Sequence, residues 1–201
     1  SCAILVEFIA FNSIAIIMGR VSGVYAAAQN LVCTLTTISF MVPLAISNAI
    51  AVKVGFANGA ENIKDLKRYS FVGIVMCVGF MMCSAFVFAT FPNFLVGLFT
   101  QDNTLVKISI PILYVLAVFQ VFDGLQVALA GIFKGIKRTG VVLLSNFIAY
   151  WLVAIPLGYT LAFKYHLNIR GFWFGLATAA ILLCIIMLTM LFRSIKKLEN
   201  C

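Results

Sequence analysis

The sequence predicts an all-α integral membrane protein, and its composition and apolar runs are the basis for that prediction. Hydrophobic residues make up 64% of the 201 positions and charged residues only 10%, whereas a soluble domain has about 45–50% apolar and about 25% charged residues. The apolar runs are long enough to cross about 30 Å of hydrocarbon as helices. They also lack the alternation of polar and apolar residues that membrane strands show. A soluble domain is therefore excluded.

Six transmembrane helices are predicted from these runs. The predicted spans are residues 2–18, 25–52, 69–91, 108–133, 141–163 and 171–192. About 20 residues suffice to cross the bilayer, so the longer spans are expected to tilt or bend. Pro43, Pro111 and Pro156 are the expected bends, because proline has no N–H to donate to the helix. The segment from Lys53 to Arg68 is predicted to be a short amphipathic link.

Basic residues are divided unequally between the two sets of connections. One set holds ten of them, namely Lys53, Lys64, Lys67, Arg68, Lys134, Lys137, Arg138, Arg193, Lys196 and Lys197. The opposite set holds four, namely Arg20, Lys107, Lys164 and Arg170. The positive-inside rule therefore places the first set and both termini in the cytoplasm of a multi-pass protein of the cell (plasma or inner) membrane. The net charge of +8 is explained by this topology, so the expected partner is the lipid bilayer and not nucleic acid.

Two acidic residues, Glu7 and Asp123, lie inside apolar runs, whereas the other four lie in connections or at the tail. Helix rise places Glu7 about 20 Å from Arg20, and it places Asp123 about 24 Å from Lys107 and about 16 Å from Lys134. An Asp at the centre of a bilayer costs roughly 2.5–3.5 kcal/mol on insertion scales, and such residues usually line a cavity or an ion path. The alternative is a neutral, hydrogen-bonded carboxylic acid with a structural role only.

Other polar residues accompany the two acids, and they lie in four of the six predicted spans. The candidates for lining a cleft are Asn12, Asn30, Thr34, Phe119, Gln120, Asn146 and Tyr150. Gln120 lies one helical turn before Asp123, which puts both side chains on one face. Hydroxyl and amide groups often only join neighbouring helices. Their presence in four spans nevertheless favours a water-accessible cavity.

Several stretches resemble the multidrug and toxic compound extrusion (MATE) transporters. The stretch 27–59, with Asn30, Met41-Val42-Pro43-Leu44 and Val52-Lys53-Val54-Gly55, resembles that family's eighth helix and the cytoplasmic loop after it. Three further stretches resemble the family in the same order: Gln120-Val121-Phe122-Asp123-Gly124-Leu125-Gln126, Tyr150-Trp151 followed by Pro156-Leu157-Gly158-Tyr159, and Gly171-Phe172-Trp173-Phe174-Gly175. The resemblance covers essentially residues 1–201 and corresponds to the C-terminal six-helix lobe, helices seven to twelve of twelve.

The resemblance implies a transporter and not an enzyme. Family members have two six-helix lobes around a central cleft and exchange Na⁺ or H⁺ for cationic, often aromatic, drugs by alternating access. The implied partners are an N-terminal six-helix lobe and cationic small molecules, with no cofactor besides the coupling ion and no separate metal site. Glu7 and Asp123 match the family's acidic residues in helices seven and ten, which implies that they bind the coupling cation.

The sequence departs from the family pattern at two positions. Phe119 stands where Tyr is common, so a hydroxyl ligand is missing, and Asn30 stands where Gln is usual. Both departures weaken the expectation of Na⁺ coordination and keep H⁺ as an alternative.

Two other functions remain open at this stage. One is a lipid-linked saccharide flippase of the same superfamily, which would carry several cationic residues inside its cavity. The other is a non-transporting membrane subunit or channel, which would tolerate neutralisation of both acids. The chain opens at Ser1 in an apolar run with no initiator Met, so it is predicted to be part of a longer protein.

Overall fold

The chain forms a bundle of long helices. A computed structural model describes residues 22–165, 167 and 169–199, together with residues 9, 12, 13, 16 and 20, and it contains no strand within these residues. The helices are α1 (Gly23–Gly59), α2 (Ile63–Thr90), α3 (Pro92–Gly97), α4 (Asn103–Gly135), α5 (Thr139–Lys164) and α6 (Ile169–Glu199). Five of these, all except the short α3, are long and apolar enough to cross a membrane. The predicted all-α membrane class is confirmed.

The five long helices coincide with the second to sixth predicted spans. Four of the five extend beyond both predicted ends, as α1 does with its 37 residues, since a helix can continue into the headgroup region once it has crossed the hydrocarbon. α2 begins six residues before its predicted span and ends at Thr90, one residue before the predicted end. Of the first predicted span, Ile9, Asn12, Ser13 and Ile16 are described, and all four are helical. Glu7 lies outside the described residues, so its position is still a prediction.

The predicted link from Lys53 to Arg68 is wrong, because most of it belongs to helices. α1 continues to Gly59 and α2 begins at Ile63. The chain reverses at Glu61, whose φ of 54° is left-handed. The Asn62 side chain then accepts a hydrogen bond from a backbone N–H in the first turn of α2, which satisfies one of the unpaired donors at a helix start. Three residues therefore suffice for the connection.

Helix α4 lies at the centre of the bundle and packs against α1, α2, α5 and α6. Its glycines permit the close contacts. A Cβ atom added at Gly131 would lie 2.5 Å from the carbonyl oxygen of Ser47 in α1, and one at Gly124 would lie 2.7 Å from Met81 in α2. The Ser47 hydroxyl also donates to the Val127 carbonyl oxygen at 2.7 Å. Small residues at helix contacts are typical of membrane bundles, which lack a hydrophobic driving force between helices.

Helix α5 is the one long helix of the described chain that departs from α geometry. It consists of an α segment at Thr139–Phe147, a π segment at Ile148–Ala154, an α turn at Ile155–Tyr159 and a second π segment at Thr160–Lys164. Pro156 lies between the two π segments. Because it has no N–H, the carbonyl of Leu152 loses its α-helical partner, which favours a wider turn. Pro43 and Pro111, by contrast, lie inside continuous helices.

Helix α2 turns a face of large apolar side chains outward. The exposed residues on it are Phe71, Val72, Val75, Met76, Met82 and Phe86. Exposed apolar area of this extent in a chain of transmembrane helices is the surface expected to contact lipid. The polar side chains of the bundle therefore lie elsewhere, mainly on α4, α5 and parts of α1.

Candidate functional site

Asp123 lies inside the bundle, on the central helix. Its side chain is 1% exposed, and those of Gln120 and Gln126 are 0% and 3% exposed. These three residues follow one another at three-residue spacing along α4, so they share one side of the helix. By helix rise Asp123 lies about 18 Å from the C-terminal end of α4. A carboxylate at this depth, in a helix that is otherwise largely apolar, is the most strongly polar group in the described interior.

The carboxamide of Gln120 is buried without a hydrogen-bond partner among the described residues, at both its nitrogen and its oxygen. An unsatisfied buried polar group costs about 1–3 kcal/mol, so such an amide in a native protein normally has a water, an ion or another ligand as its partner. Its position one helical turn from Asp123 makes Gln120 a candidate for contact with such a partner.

Tyr150 of α5 reaches the polar side of α4. Its ring is fully buried, and its hydroxyl donates to the Gln126 side-chain oxygen at 3.1 Å. Asn146, one turn earlier in α5, is 3% exposed, and its side-chain oxygen lacks a hydrogen-bond partner in the described part of the chain. Two of the predicted cleft residues, Tyr150 and Asn146, thus lie in the interior of the bundle together with Asp123.

Phe119, one helical turn before Asp123, lies in an aromatic setting beside buried hydrogen bonds. Its ring packs edge to face against Trp173 of α6, with the ring centroids 6.0 Å apart. The Trp173 indole N–H donates to the Gln29 side-chain oxygen of α1 at 3.0 Å. The Gln29 nitrogen in turn donates to the Cys33 sulfur at 3.3 Å. All three helices are therefore joined by buried side chains near this point.

Gln29 and Trp173 were not among the predicted site residues. Gln29 follows three alanines and Trp173 lies between two glycines, and small neighbours of this kind are a sequence signal for burial of a large side chain. A large polar side chain in a run of small residues has room to reach a neighbouring helix, and a tryptophan flanked by glycines has room to be buried. Neither signal identifies the partner, which depends on how the helices pack.

The remaining cleft candidates lie on the surface of the bundle. Asn12, Asn30 and Thr34 are exposed, and the Thr34 hydroxyl donates to the backbone oxygen of Asn30. The structure thus divides the predicted cleft residues into two groups. Phe119, Gln120, Asn146 and Tyr150 lie in the interior, and Asn12, Asn30 and Thr34 lie at the surface.

Two members of the surface group, Asn30 and Thr34, belong to a longer feature of α1. Asn30, Thr34, Thr37, Met41 and Asn48 are all exposed and recur at spacings that keep them on one side of the helix. We call these five residues the α1 stripe. Four of the five side chains, all except Met41, are polar. Polar side chains on an exposed helix face are costly against lipid, which distinguishes the α1 stripe from the apolar outer face of α2.

The comparisons with known proteins place the chain in a family. Residues 2–160 match the sequence profile of the MatE family, also written MATE. The chain belongs to the MATE family. Relatives include a probable multidrug resistance protein NorM from Agrobacterium fabrum, 32% identical over 98% of this chain and 44% of its own length. A multidrug resistance protein NorM from Burkholderia vietnamiensis is 32% identical over 90% of this chain and 40% of its own length.

Solved MATE structures share the fold. The crystal structure of a MATE P26A mutant superposes with a TM-score of 0.89 at 21% identity, over 100% of this chain and 45% of that protein. The outward-facing conformation of a multidrug resistance MATE transporter superposes with a TM-score of 0.88 at 19% identity, over 99% of this chain and 44% of that protein. The chain therefore spans slightly less than half the length of the MATE proteins that it matches.

Proposed function

We propose that this chain is the C-terminal lobe of a cation-coupled antiporter that exports cationic drugs across the cell membrane. The observation that carries the proposal is the buried Asp123 with the buried, unpartnered carboxamide of Gln120 beside it. A carboxylate and an unsatisfied amide, buried together inside a bundle of membrane helices, favour a binding site for a cation. Membership of the MATE family and the names of the NorM relatives support the drug-export part of the proposal.

The mechanism follows from the electrostatics of the site. A carboxylate in a medium of low dielectric is costly until a cation neutralises it. Na⁺, H⁺ and a cationic drug each supply that positive charge, so the coupling ion and the drug compete for the same carboxylate. The two lobes would then open the cleft to one side of the membrane and afterwards to the other. The drug would be released on one side and the coupling ion on the other. Glu7 is proposed as the second carboxylate of the coupling site.

The α1 stripe is proposed as the surface that faces the cleft and the N-terminal lobe. The exposed Asn30 and Asn48 side chains favour contact with water or with a polar partner over contact with lipid. Coverage of slightly less than half of the MATE relatives agrees with one lobe of two. On this basis the drug would bind between Asn30 of α1 and the opposite lobe, and the coupling ion would bind deeper, at Asp123.

The lipid-linked saccharide flippase is the weaker candidate. It would require cationic side chains inside the lobe to hold a phosphate-linked sugar. Among the Lys and Arg residues whose side chains the structure describes, none is buried, and Lys134, the least exposed of them, is half-buried at the end of α4. The non-transporting subunit is also less favoured, since it gives no reason to keep Asp123 in the interior.

The test is transport by the intact protein in liposomes, with Na⁺ and pH gradients imposed separately. Export of a fluorescent organic cation that either gradient accelerates would support the antiporter, and the gradient that works would identify the coupling ion. Transport of the cation at the same rate with and without both gradients would overturn the proposal. In the same preparation, binding of the cation should strengthen as the pH rises, because deprotonated carboxylates attract it.

A further inference from the structure

The Tyr150–Gln126 hydrogen bond lies between Asp123 and one end of the bundle. We call that end the basic end, because it carries Lys134, Lys137, Arg138, Arg193 and Lys196. α4 runs toward the basic end and α5 runs away from it. The 3.1 Å contact between Tyr150 and Gln126 therefore fixes how the residues of these two antiparallel helices are aligned.

The alignment orders the buried polar groups along the bundle. Asp123 precedes Gln126 by three residues and so lies about 4.5 Å further from the basic end. Asn146 precedes Tyr150 by four residues and so lies about 6 Å nearer to that end. A further eight residues, about 12 Å, separate Asn146 from Arg138 at the basic end itself. Asp123, the Tyr150–Gln126 pair and Asn146 thus follow one another toward the basic end.

Away from the basic end, the Phe119 and Trp173 rings are in edge-to-face contact, and the Trp173 N–H is bonded to Gln29. The unpartnered Gln120 amide on this side belongs to the Asp123 site itself, and the next unpartnered group of α4, the Ser109 hydroxyl, lies about 21 Å from Asp123 by helix rise. Asn146, about 10 Å along the bundle, is nearer. Toward the basic end, beyond the Tyr150–Gln126 pair, the Asn146 oxygen is buried with no hydrogen-bond partner among the described residues. An unsatisfied amide oxygen stabilises water or a passing cation.

The backbone around Tyr150 is suited to movement. Tyr150 belongs to the π segment Ile148–Ala154, which precedes Pro156. π turns are rare and occur frequently at functional sites. A change of this segment between π and α geometry would rotate Tyr150 relative to Asn146, which lies in the preceding α segment, and would separate its hydroxyl from Gln126.

We propose that Tyr150 and Gln126 form an inner gate, and that Asn146 lies on the path by which a cation at Asp123 exchanges with the basic end. The closed gate is the arrangement seen in this structure. This inference deepens the proposed function, because it assigns the route taken by the coupling ion of the same site. Its test measures access to the path and does not require drug transport.

The test is labelling of single cysteines by a cationic, membrane-impermeant thiol reagent. The intact transporter, with its native cysteines replaced by serine, is placed in membrane vesicles of each orientation. Asn146→Cys should react from the side of the basic end, as should the exposed control Lys137→Cys. Gln120→Cys, beyond the gate, should react from that side much more slowly. Tyr150→Phe should accelerate labelling of Gln120→Cys about fivefold, because the loss of one neutral hydrogen bond should raise the population of the open gate by about that factor. The same variant should leave the labelling rate of Asn146→Cys unchanged.

Tyr159→Phe is the matched control, because Tyr159 is on the same helix and is 54% exposed. It should change neither labelling rate. Either of two results would overturn the proposed gate. One is an equal labelling rate for Gln120→Cys with and without the Tyr150 hydroxyl. The other is labelling of Asn146→Cys only from the side of the membrane opposite the basic end. If Gln120→Cys does not yield folded protein, Asp123→Cys serves as the probe beyond the gate. A gate that behaves as expected in a protein that exports no drug would leave this inference standing and remove the proposed function.

Discussion

At the scale of single residues, the interior of the bundle is defined by a few polar side chains whose burial would be costly without partners. Gln29 and Trp173 satisfy one another across two helices at 3.0 Å. Gln126 receives the Tyr150 hydroxyl. Gln120 and Asn146, in contrast, retain buried atoms without partners among the described residues. The first two pairs help to fix how the helices pack, and the last two residues are the proposed contacts for a ligand or water.

Trp173→Phe should destabilise the protein by about 1–3 kcal/mol, because it leaves the buried Gln29 oxygen without its indole donor. Trp151→Phe is the matched control. Trp151 is half-buried and stacks on Phe147, so its loss should cost clearly less. Thermal unfolding of both variants in detergent measures the difference. Equal melting temperatures for the two variants would show that the Gln29–Trp173 bond contributes little.

Glu7→Gln should reduce gradient-driven export, since Glu7 is proposed to share the coupling site with Asp123. The amide keeps the size and hydrogen-bonding capacity of the side chain but cannot carry the negative charge. Export measured in proteoliposomes, with Glu61→Gln as a control in the exposed turn after α1, checks this. Unchanged export in Glu7→Gln would remove Glu7 from the coupling site.

At the scale of helices, the positions of the long spans follow from the sequence, whereas the helix ends and the local helix geometry do not. Runs of apolar residues predict the five described spans because a helix must be apolar over the thickness of the hydrocarbon. The link after Lys53 was predicted wrongly, because α1 extends past the hydrocarbon with the same backbone hydrogen bonding. The π segments of α5 were not predicted beyond a bend at Pro156, since the wider turns depend on packing against α6.

Gly131→Ala should weaken the α1–α4 contact, because the added Cβ would lie 2.5 Å from the Ser47 carbonyl oxygen. Backbone atoms cannot move aside as a flexible side chain can, so a loss of about 1–3 kcal/mol is expected. Gly79→Ala, in the middle of α2 with nothing within 4 Å of the added atom, should be neutral or slightly stabilising. Melting temperatures in detergent compare the two. A stable Gly131→Ala protein would mean that the two helices can separate without cost.

At the scale of the whole molecule, the proposed coupling at Asp123 depends on which site residues the helices bring together. The sequence identified Asp123, Gln120, Asn146 and Tyr150 as polar residues within apolar spans, and the structure places all four in the interior. The sequence alone could not assign Asn30 and Thr34 to the outer surface of α1, because packing decides which side of a helix faces its neighbours. The Gln29–Trp173 pair was missed for the same reason, as its members are 144 positions apart.

The topology is tested by labelling single cysteines in the intact protein from each side of the membrane. Positions 64 and 137 should be accessible from the cytoplasm, and positions 102 and 168 from the outside, because basic connections are retained in the cytoplasm. Labelling of both sets from one side would refute the six-span arrangement and the assignment of the basic end to the cytoplasm.

The most direct test of the central claim is gradient-driven export of a cationic dye by Asp123→Asn in proteoliposomes. The matched control is Asp102→Asn, at the exposed N-terminal cap of the same helix, where Asn also caps well. We expect Asp102→Asn to export at the wild-type rate, and Asp123→Asn to fold normally but to lose gradient-driven export. Full export by a folded Asp123→Asn protein would contradict the account, since the buried carboxylate would then be a structural group and not the site of coupling.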